Sequence, residues 1–438
     1  MRTAFTAAQL RDDAYRDSDR NLRKCVHCGF CQATCPTYRL SGDELESPRG
    51  RIYLIKEMLE TEQTPSPEVV RHIDQCLSCL SCMTTCPSGV NYMHLIDHAR
   101  AWIESHYRRP LADRFKRRLI AALLPLPGRF RLTLRLGRTA SRFRTLLPER
   151  LRRLTGLATS PAMAPRRRPL LPVYRASAGV KGSVALLAGC VQRATDNGIN
   201  EATIRVLNRL GYDVHILPGD CCGAIEHHLG MGPRARARMG ENLLRWERAR
   251  KRHNWQALIV NASGCGTMLK DYAHVLADVP DLAGEAQTVS RLCCDITEFL
   301  DRSEHDPPRP DPDKSLRVAY QNPCSMQHGQ GITDAPLRLL AAYGYRTLPV
   351  RDGHLCCGSA GTYNLLQPEI AARLGQDKAR VLEAVRPDVI ATGNLGCLTQ
   401  VGTYTDIPVV HTIQLLDWAS GGPDPRDPTA GGGFTTPG

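Results

Sequence analysis

Two runs of four cysteines are the residues most able to do chemistry in this chain. The first is Cys25-x2-Cys28-x2-Cys31-x3-Cys35, followed by Pro36. The second is Cys76-x2-Cys79-x2-Cys82-x3-Cys86, followed by Pro87. Three cysteines at two-residue intervals on a tight loop can aim their thiolates at three corners of one iron–sulfur cubane. The fourth cannot curl back to the same corner set and serves the other cluster. The spacing therefore predicts two [4Fe–4S] clusters with crossed ligation. Cys25, Cys28, Cys31 and Cys86 are expected to hold one, and Cys76, Cys79, Cys82 and Cys35 the other. Structural zinc is the competing reading, but zinc sites use separated C-x2-C pairs rather than unbroken runs closed by proline.

The elements that must position these runs can be read in outline. Ser47-Pro48 and Ser66-Pro67 each offer an N-cap followed by proline at the first helical position, predicting helices before the second run. The chain has 438 residues, which corresponds to about three domains. The longest apolar run, Leu119 to Leu126, is far shorter than the roughly 20 residues of a membrane span. With no apolar stretch at its start, the chain reads as unsecreted, and 18 cysteines in a reducing compartment favour metal or redox roles over disulfides.

The net charge of +13 is localised. Tyr107 to Leu170 carries 18 Lys and Arg against Asp113 and Glu149, so the rest of the chain is slightly acidic. Few aromatics and no nucleic-acid motif argue against a nucleic-acid partner. A basic helical pair facing acidic lipid headgroups or a partner subunit is the better reading.

Beyond this stretch the chain repeats itself. Cys190, Cys221, Cys222 and Cys265 recur as Cys324, Cys356, Cys357 and Cys397, at offsets of 132 to 135 residues. Each unit alternates a short apolar strand, a cysteine loop and an amphipathic helix, which predicts parallel α/β layering. Adjacent cysteines suit a site where one thiolate bridges metals, so both sets are candidates for additional metal or redox chemistry. His228 and His328 are read as satisfied polar side chains, and Cys293-Cys294 as core or surface residues. Gly230-Met-Gly232-Pro-Arg-Ala235 follows no strand and is set aside as a nucleotide loop.

The expected architecture is multi-domain. Residues 1–106 form a helical two-cluster ferredoxin-like domain, 107–180 a basic helical connector and linker, and 181–300 and 315–420 duplicated α/β cysteine-rich (CCG) domains. Residues 421–438, with ten Gly or Pro, form a disordered tail.

The order of these features resembles the iron–sulfur subunits of glycolate oxidase (glycolate dehydrogenase). Gly189-Cys-Val-Gln192, Cys356-Cys-Gly-Ser-Ala-Gly-Thr-Tyr-Asn-Leu365 and Gly393-Asn-Leu-Gly-Cys397 carry the likeness. The Cys-Cys-Gly units also resemble the cysteine-rich domain found in heterodisulfide reductase. Its fullest form ends in C-x2-C, where this chain has Met268 and Gln400. The resemblance implies a complex in which glycolate is oxidised to glyoxylate at FAD on partner flavoprotein subunits. No catalytic residue is expected on this chain, which would pass electrons to a membrane acceptor such as quinone. The implied location is cytoplasmic, peripheral on the inner face of the inner membrane. Iron–sulfur subunits of lactate or glycerol-3-phosphate dehydrogenases are the related alternative. A zinc-bearing nucleic-acid-binding protein is the remote one.

Overall fold

The computed structural model describes residues 1–142, 169–177, 179–195, 198–219, 221–309 and 311–427. The tail beyond 427 and residues 143–168 of the connector lie outside the described residues. The N-terminal region is helical: α1 (Asp13–Lys24), α2 (Pro36–Ser41), α3 (Pro48–Thr61), α4 (Pro67–Asp74), α5 (Ser81–Thr85) and α6 (Tyr92–His106). The two Ser-Pro starts form as the sequence predicts. Ser47 Oγ accepts from the Gly50 N–H and Ser66 Oγ from the Val69 N–H, and each proline occupies a position with no N–H to satisfy. Ile55 and Leu59 of α3 meet Leu95, Ile96 and Ile103 of α6, all fully buried. Their three- and four-residue spacing puts one apolar stripe on each helix. Two further helices follow, α7 (Leu111–Leu123) and α8 (Pro127–Ser141).

Two α/β units complete the chain. The first has a five-stranded sheet of order β1-β3-β2-β4-β5, with β1 (Val173–Tyr174), β2 (Gly182–Leu187), β3 (Tyr212–Ile216), β4 (Ala257–Val260) and β5 (Cys293–Asp295). The second has order β7-β6-β8-β9, with β6 (Arg317–Gln321), β7 (Arg346–Leu348), β8 (Val389–Thr392) and β9 (Val409–His411). The four-strand cores are parallel and identically ordered, so the sequence repeat is a repeat of topology. Only β1, an added edge strand antiparallel to β3, departs from the parallel layering that the sequence predicts.

The two sheets share one core in which Val184, Leu186 and Ile259 join Val318, Tyr320 and Val389. Buried Asp417 clamps the units together, accepting from Arg205 at 2.5 Å and Arg209 at 2.7 Å. The helical region is tied to both units. Ile120 and Ala121 of α7 pack with Leu229 of the first and with Leu365 and Leu366 of the second.

Candidate iron–sulfur sites

The backbone of the two cysteine runs is folded alike. His27 and Ser78, two residues past the leading cysteine, have φ of 57° and 50°; Gly29 and Leu80, two residues further on, have 84° and 63°. A left-handed residue in each interval reverses the chain between successive cysteines and turns their side chains to one side. For His27, Ser78 and Leu80 this conformation costs on the order of 1–2 kcal/mol each. Such a cost persists only where the surroundings hold it.

Each loop closes over a cavity. The first, about 450 Å³ including space open to solvent, is bordered by Cys25, Cys28, Cys31 and Cys86. The second, about 320 Å³ on the same measure, is bordered by Cys35, Cys76 and Cys79. Cys82, Pro48 and Tyr92 line both, so the two spaces share a wall. Cys86 thus stands with the first run and Cys35 with the second. Cys28 is exposed and Cys31 and Cys86 are partly so, while all four residues of the other set are buried.

The second cavity carries a buried cation. Arg51 is 1% exposed and donates to the Glu46 carboxylate (2.5 Å), the Thr37 hydroxyl (3.0 Å) and the His72 carbonyl (2.7 Å). His72 Nδ1 also meets Glu46 at 2.6 Å. Thr37 Oγ1 in turn lies 3.3 Å from Cys35 Sγ.

These residues suit iron–sulfur clusters. All 18 cysteines are free. Burial pushes the Cys31 thiol up to about 11, aided by Cys25, and pushes Cys79 and Cys82 well above the usual thiol range. Such sulfurs become thiolates only beside a compensating positive centre, which cluster iron supplies. The Tyr92 hydroxyl on the shared wall and Ser81 Oγ are buried with no partner among the described residues. Both are donors a cluster sulfur could accept from.

The Cys-Cys-Gly sets occupy corresponding places in their units. Cys190 follows β2 and Cys265 follows β4; Cys324 follows β6 and Cys397 follows β8. These are the carboxyl ends of the two strands flanking the point where strand order reverses, where open α/β sheets build sites. Gly223 and Gly358 both have φ of 86°, letting their N–H groups bond back to Cys221 Sγ and Cys356 Sγ at 3.4 Å. Cys324 Sγ and Cys356 Sγ are 3.7 Å apart, and Cys397 Sγ accepts from Asn394 Nδ2 at 3.5 Å.

The two sets differ in their charged neighbours. Hydrogen bonds from Cys356 and Cys397 hold Cys357 well below the usual thiol range, with help from the ammonium of buried Lys378. In the first unit, Cys190 is pushed well up by its hydrogen bond to Cys221 and by burial, and the carboxylate of buried Glu226 adds to this. Arg238 pairs with that carboxylate at 2.7 Å.

Comparison with known proteins follows the same divisions. The family described as a 4Fe-4S dicluster domain matches residues 21–90, and the family described as a cysteine-rich domain matches 184–270 and 318–402. The glycolate oxidase iron-sulfur subunit of Escherichia coli K12 is 37% identical over 96% of this chain and 99% of its own length. The chain belongs to the family of glycolate oxidase iron–sulfur subunits. A probable member from Bacillus subtilis is 31% identical over 96% of this chain and 99% of its own. Lactate utilization protein A of Bacillus licheniformis is 27% identical over 53% of this chain and 98% of its own. A hypothetical protein from Helicobacter pylori shares the fold, with a TM-score of 0.52 and 11% identity over 93% of this chain and 72% of its own.

As a member of this iron–sulfur subunit family, the chain is an iron–sulfur protein with a ferredoxin-type region followed by two cysteine-rich domains. The remaining sequence candidates have plain roles. His228 Nδ1 meets Asp97 at 3.2 Å. His328 donates from Nε2 to the His354 carbonyl, which leaves Nδ1 to accept from the Thr84 hydroxyl at 2.7 Å. Cys293 and Cys294 are buried in β5, and burial holds the Cys294 thiol up at about 12. Gly232 opens a helix that follows another helix, not a strand, so the glycine pattern there is no nucleotide loop. Arg51, Tyr92 and Lys378 escaped sequence reading. Arg51 stands in the conspicuous Ser47-Pro-Arg-Gly-Arg51 segment, but nothing local says that it points inward.

Proposed function

We propose that this chain is the electron-transfer subunit of a flavin-dependent glycolate oxidase. In this reading a partner flavoprotein takes a hydride from glycolate onto FAD, and this chain removes the electrons singly toward a membrane acceptor such as a quinone. The observation that supports it best is the pair of cysteine-lined cavities sharing one wall. Cys25, Cys28, Cys31 and Cys86 would hold one [4Fe–4S] cluster, and Cys35, Cys76, Cys79 and Cys82 the other. Bound there, such clusters supply reversible one-electron transfer at short range. The chain's own residues keep the inner set dry, place the Arg51 charge beside it and present Cys28 at the surface. The division into residues 1–106, 107–180, 181–300, 315–420 and 421–438 belongs to the same proposal. So does a cytoplasmic position on the inner face of the inner membrane.

The second repeat fits a continuation of this path. Cys79 of the inner set shares an apolar cluster with Cys324 and Cys356. The repeats would then hold further iron.

Iron and acid-labile sulfide on anaerobically purified protein test this reading. About eight of each per chain means two cubanes with metal-free repeats, and clearly more places clusters in the repeats. Zinc without iron overturns the reading. The substrate is tested by the flavoprotein that copurifies: reduction of the chain's clusters by glycolate supports the assignment, and reduction by lactate alone transfers it to the related lactate system.

A further inference from the structure

The connector helices present a surface that the electron path does not use. One face of α7 and α8 is anchored. Arg109 and Arg117, both buried, reach Asp74 at 2.7 and 2.8 Å, Ile120 and Ala121 pack on the two repeats, and Leu134 of α8 is buried. The opposite face is apolar and open. Leu111, Phe115 and Leu119 recur every four residues on α7 and are 75%, 68% and 43% exposed; Leu132 and Leu136 on α8 are 57% and 62% exposed. These are five of the eleven large exposed hydrophobic residues among the described residues, and they sit within 26 positions of one another.

Cations are interleaved with them. Arg114 and Arg118 directly precede Phe115 and Leu119, and Arg135 directly precedes Leu136. All three are exposed, and no described carboxylate pairs with them. The one acid in either helix, Asp113, is held by Arg109 and Arg117. A face that offers leucine and phenylalanine beside exposed guanidinium groups matches the acyl–headgroup boundary of an anionic bilayer. None of the described helices is long and apolar enough to cross a membrane.

We infer that α7 and α8 form a lipid-docking hairpin that seats the chain on an anionic membrane surface. The inference rests on the electron-transfer reading only for its purpose. Because α8 packs on the helix Cys190–Ala194, with Arg131 donating to the Arg193 carbonyl at 3.0 Å, docking places the Cys190 helix behind α8, about one helix diameter from the lipid.

The test is flotation of the full iron-loaded chain with vesicles. Binding is expected with equal parts phosphatidylcholine and phosphatidylglycerol, absent with phosphatidylcholine alone, and weakened by raising salt above about 0.15 M. Leu111→Ser/Phe115→Ser/Leu132→Ser is expected to lower the partition at least about tenfold. Arg114→Gln/Arg118→Gln should lower it several-fold and flatten the salt dependence. Iron content and dye-linked electron transfer report folding, and both should stay at the parent level. Failure to bind anionic vesicles, or equal binding by the variants, overturns the inference. So does loss of flavoprotein copurification in the variants with vesicle binding intact, which would make the hairpin a subunit contact. Parent protein without iron would instead sink the electron-transfer reading.

Discussion

Tyr363 of the second cysteine-rich unit donates its phenolic O–H to the Gln75 carbonyl at 3.0 Å, one residue before Cys76. This bond spans 288 residues of sequence and stitches the second repeat to the rim of the inner ferredoxin cavity. The same docking brings Cys79 into the apolar cluster of Cys324, Cys356 and Leu374. The sulfur-bearing regions are therefore neighbours in one structure, not beads joined by a linker.

Single cysteine replacements should remove one cluster at a time. Cys28→Ser and Cys79→Ser are each expected to lower iron by about four per chain. Both should abolish electron transfer from the flavoprotein to an external acceptor. Metal analysis with spectroscopy of the reduced protein checks the first statement, and dye-linked turnover the second. Turnover surviving in both variants would refute the role of these cavities in electron transfer.

Arg51→Met should be strongly destabilising. It strands the Glu46 carboxylate, 4% exposed, without its guanidinium, at a cost of about 3–5 kcal/mol. Arg51→Lys should recover only part of this, because a lysine cannot reach Glu46, Thr37 and the His72 carbonyl in one planar fork. Thermal unfolding followed by loss of visible absorbance ranks the three proteins. Equal midpoints would show the network to be dispensable.

The contact between α6 and the first repeat should weaken in alkali. Burial alone would lower the His94 pKa, but hydrogen bonds to Asp17 and Asp271 (3.0 Å) raise it to about 9. His274, stacked on His94 at 3.5 Å, is shifted the other way by burial and by the His94 charge. A folded value above the ordinary 6.5 stabilises the native state fully below pH 6.5, and the contribution is lost as pH rises through 9. Its size is on the order of 2–3 kcal/mol. Hydrogen exchange in α6 between pH 6 and 10 should show the loss, and His94→Gln should abolish the dependence. An unchanged pH profile in that variant would assign the effect elsewhere.

Asp417→Asn should loosen the two α/β units from each other. The carboxylate is 1% exposed and serves two arginines, so neutralising it should cost about 2 kcal/mol. Arg209, 33% exposed, can turn toward water, which keeps the loss below that for Arg51. Limited proteolysis between the units should quicken, with iron on the N-terminal cysteines unchanged.

Local chemistry made much of this protein legible from its residues alone. Cysteine spacing implies two cubanes because a tight loop can present only three thiolates to one corner set. Ser47-Pro48 and Ser66-Pro67 announce helices because a cap and a proline act within one turn. The 132- to 135-residue repeat implies duplicated parallel units, since strand, cysteine loop and helix recur in order. What depended on distant partners was silent. Arg51 reads as a surface charge until Glu46, Thr37 and the His72 carbonyl close around it. The two Cys-Cys-Gly sets look equivalent until Lys378 comes to lie near one and Glu226 beside the other. The connector reads as uniformly basic, yet Arg109 and Arg117 fold inward onto Asp74 while Leu111, Phe115 and Leu136 remain outside. Sequence alone determined which groups the chain carries and at what local spacing. Tertiary structure alone decided which of them are buried, paired or left open, because burial and charge compensation are set by residues far away along the chain.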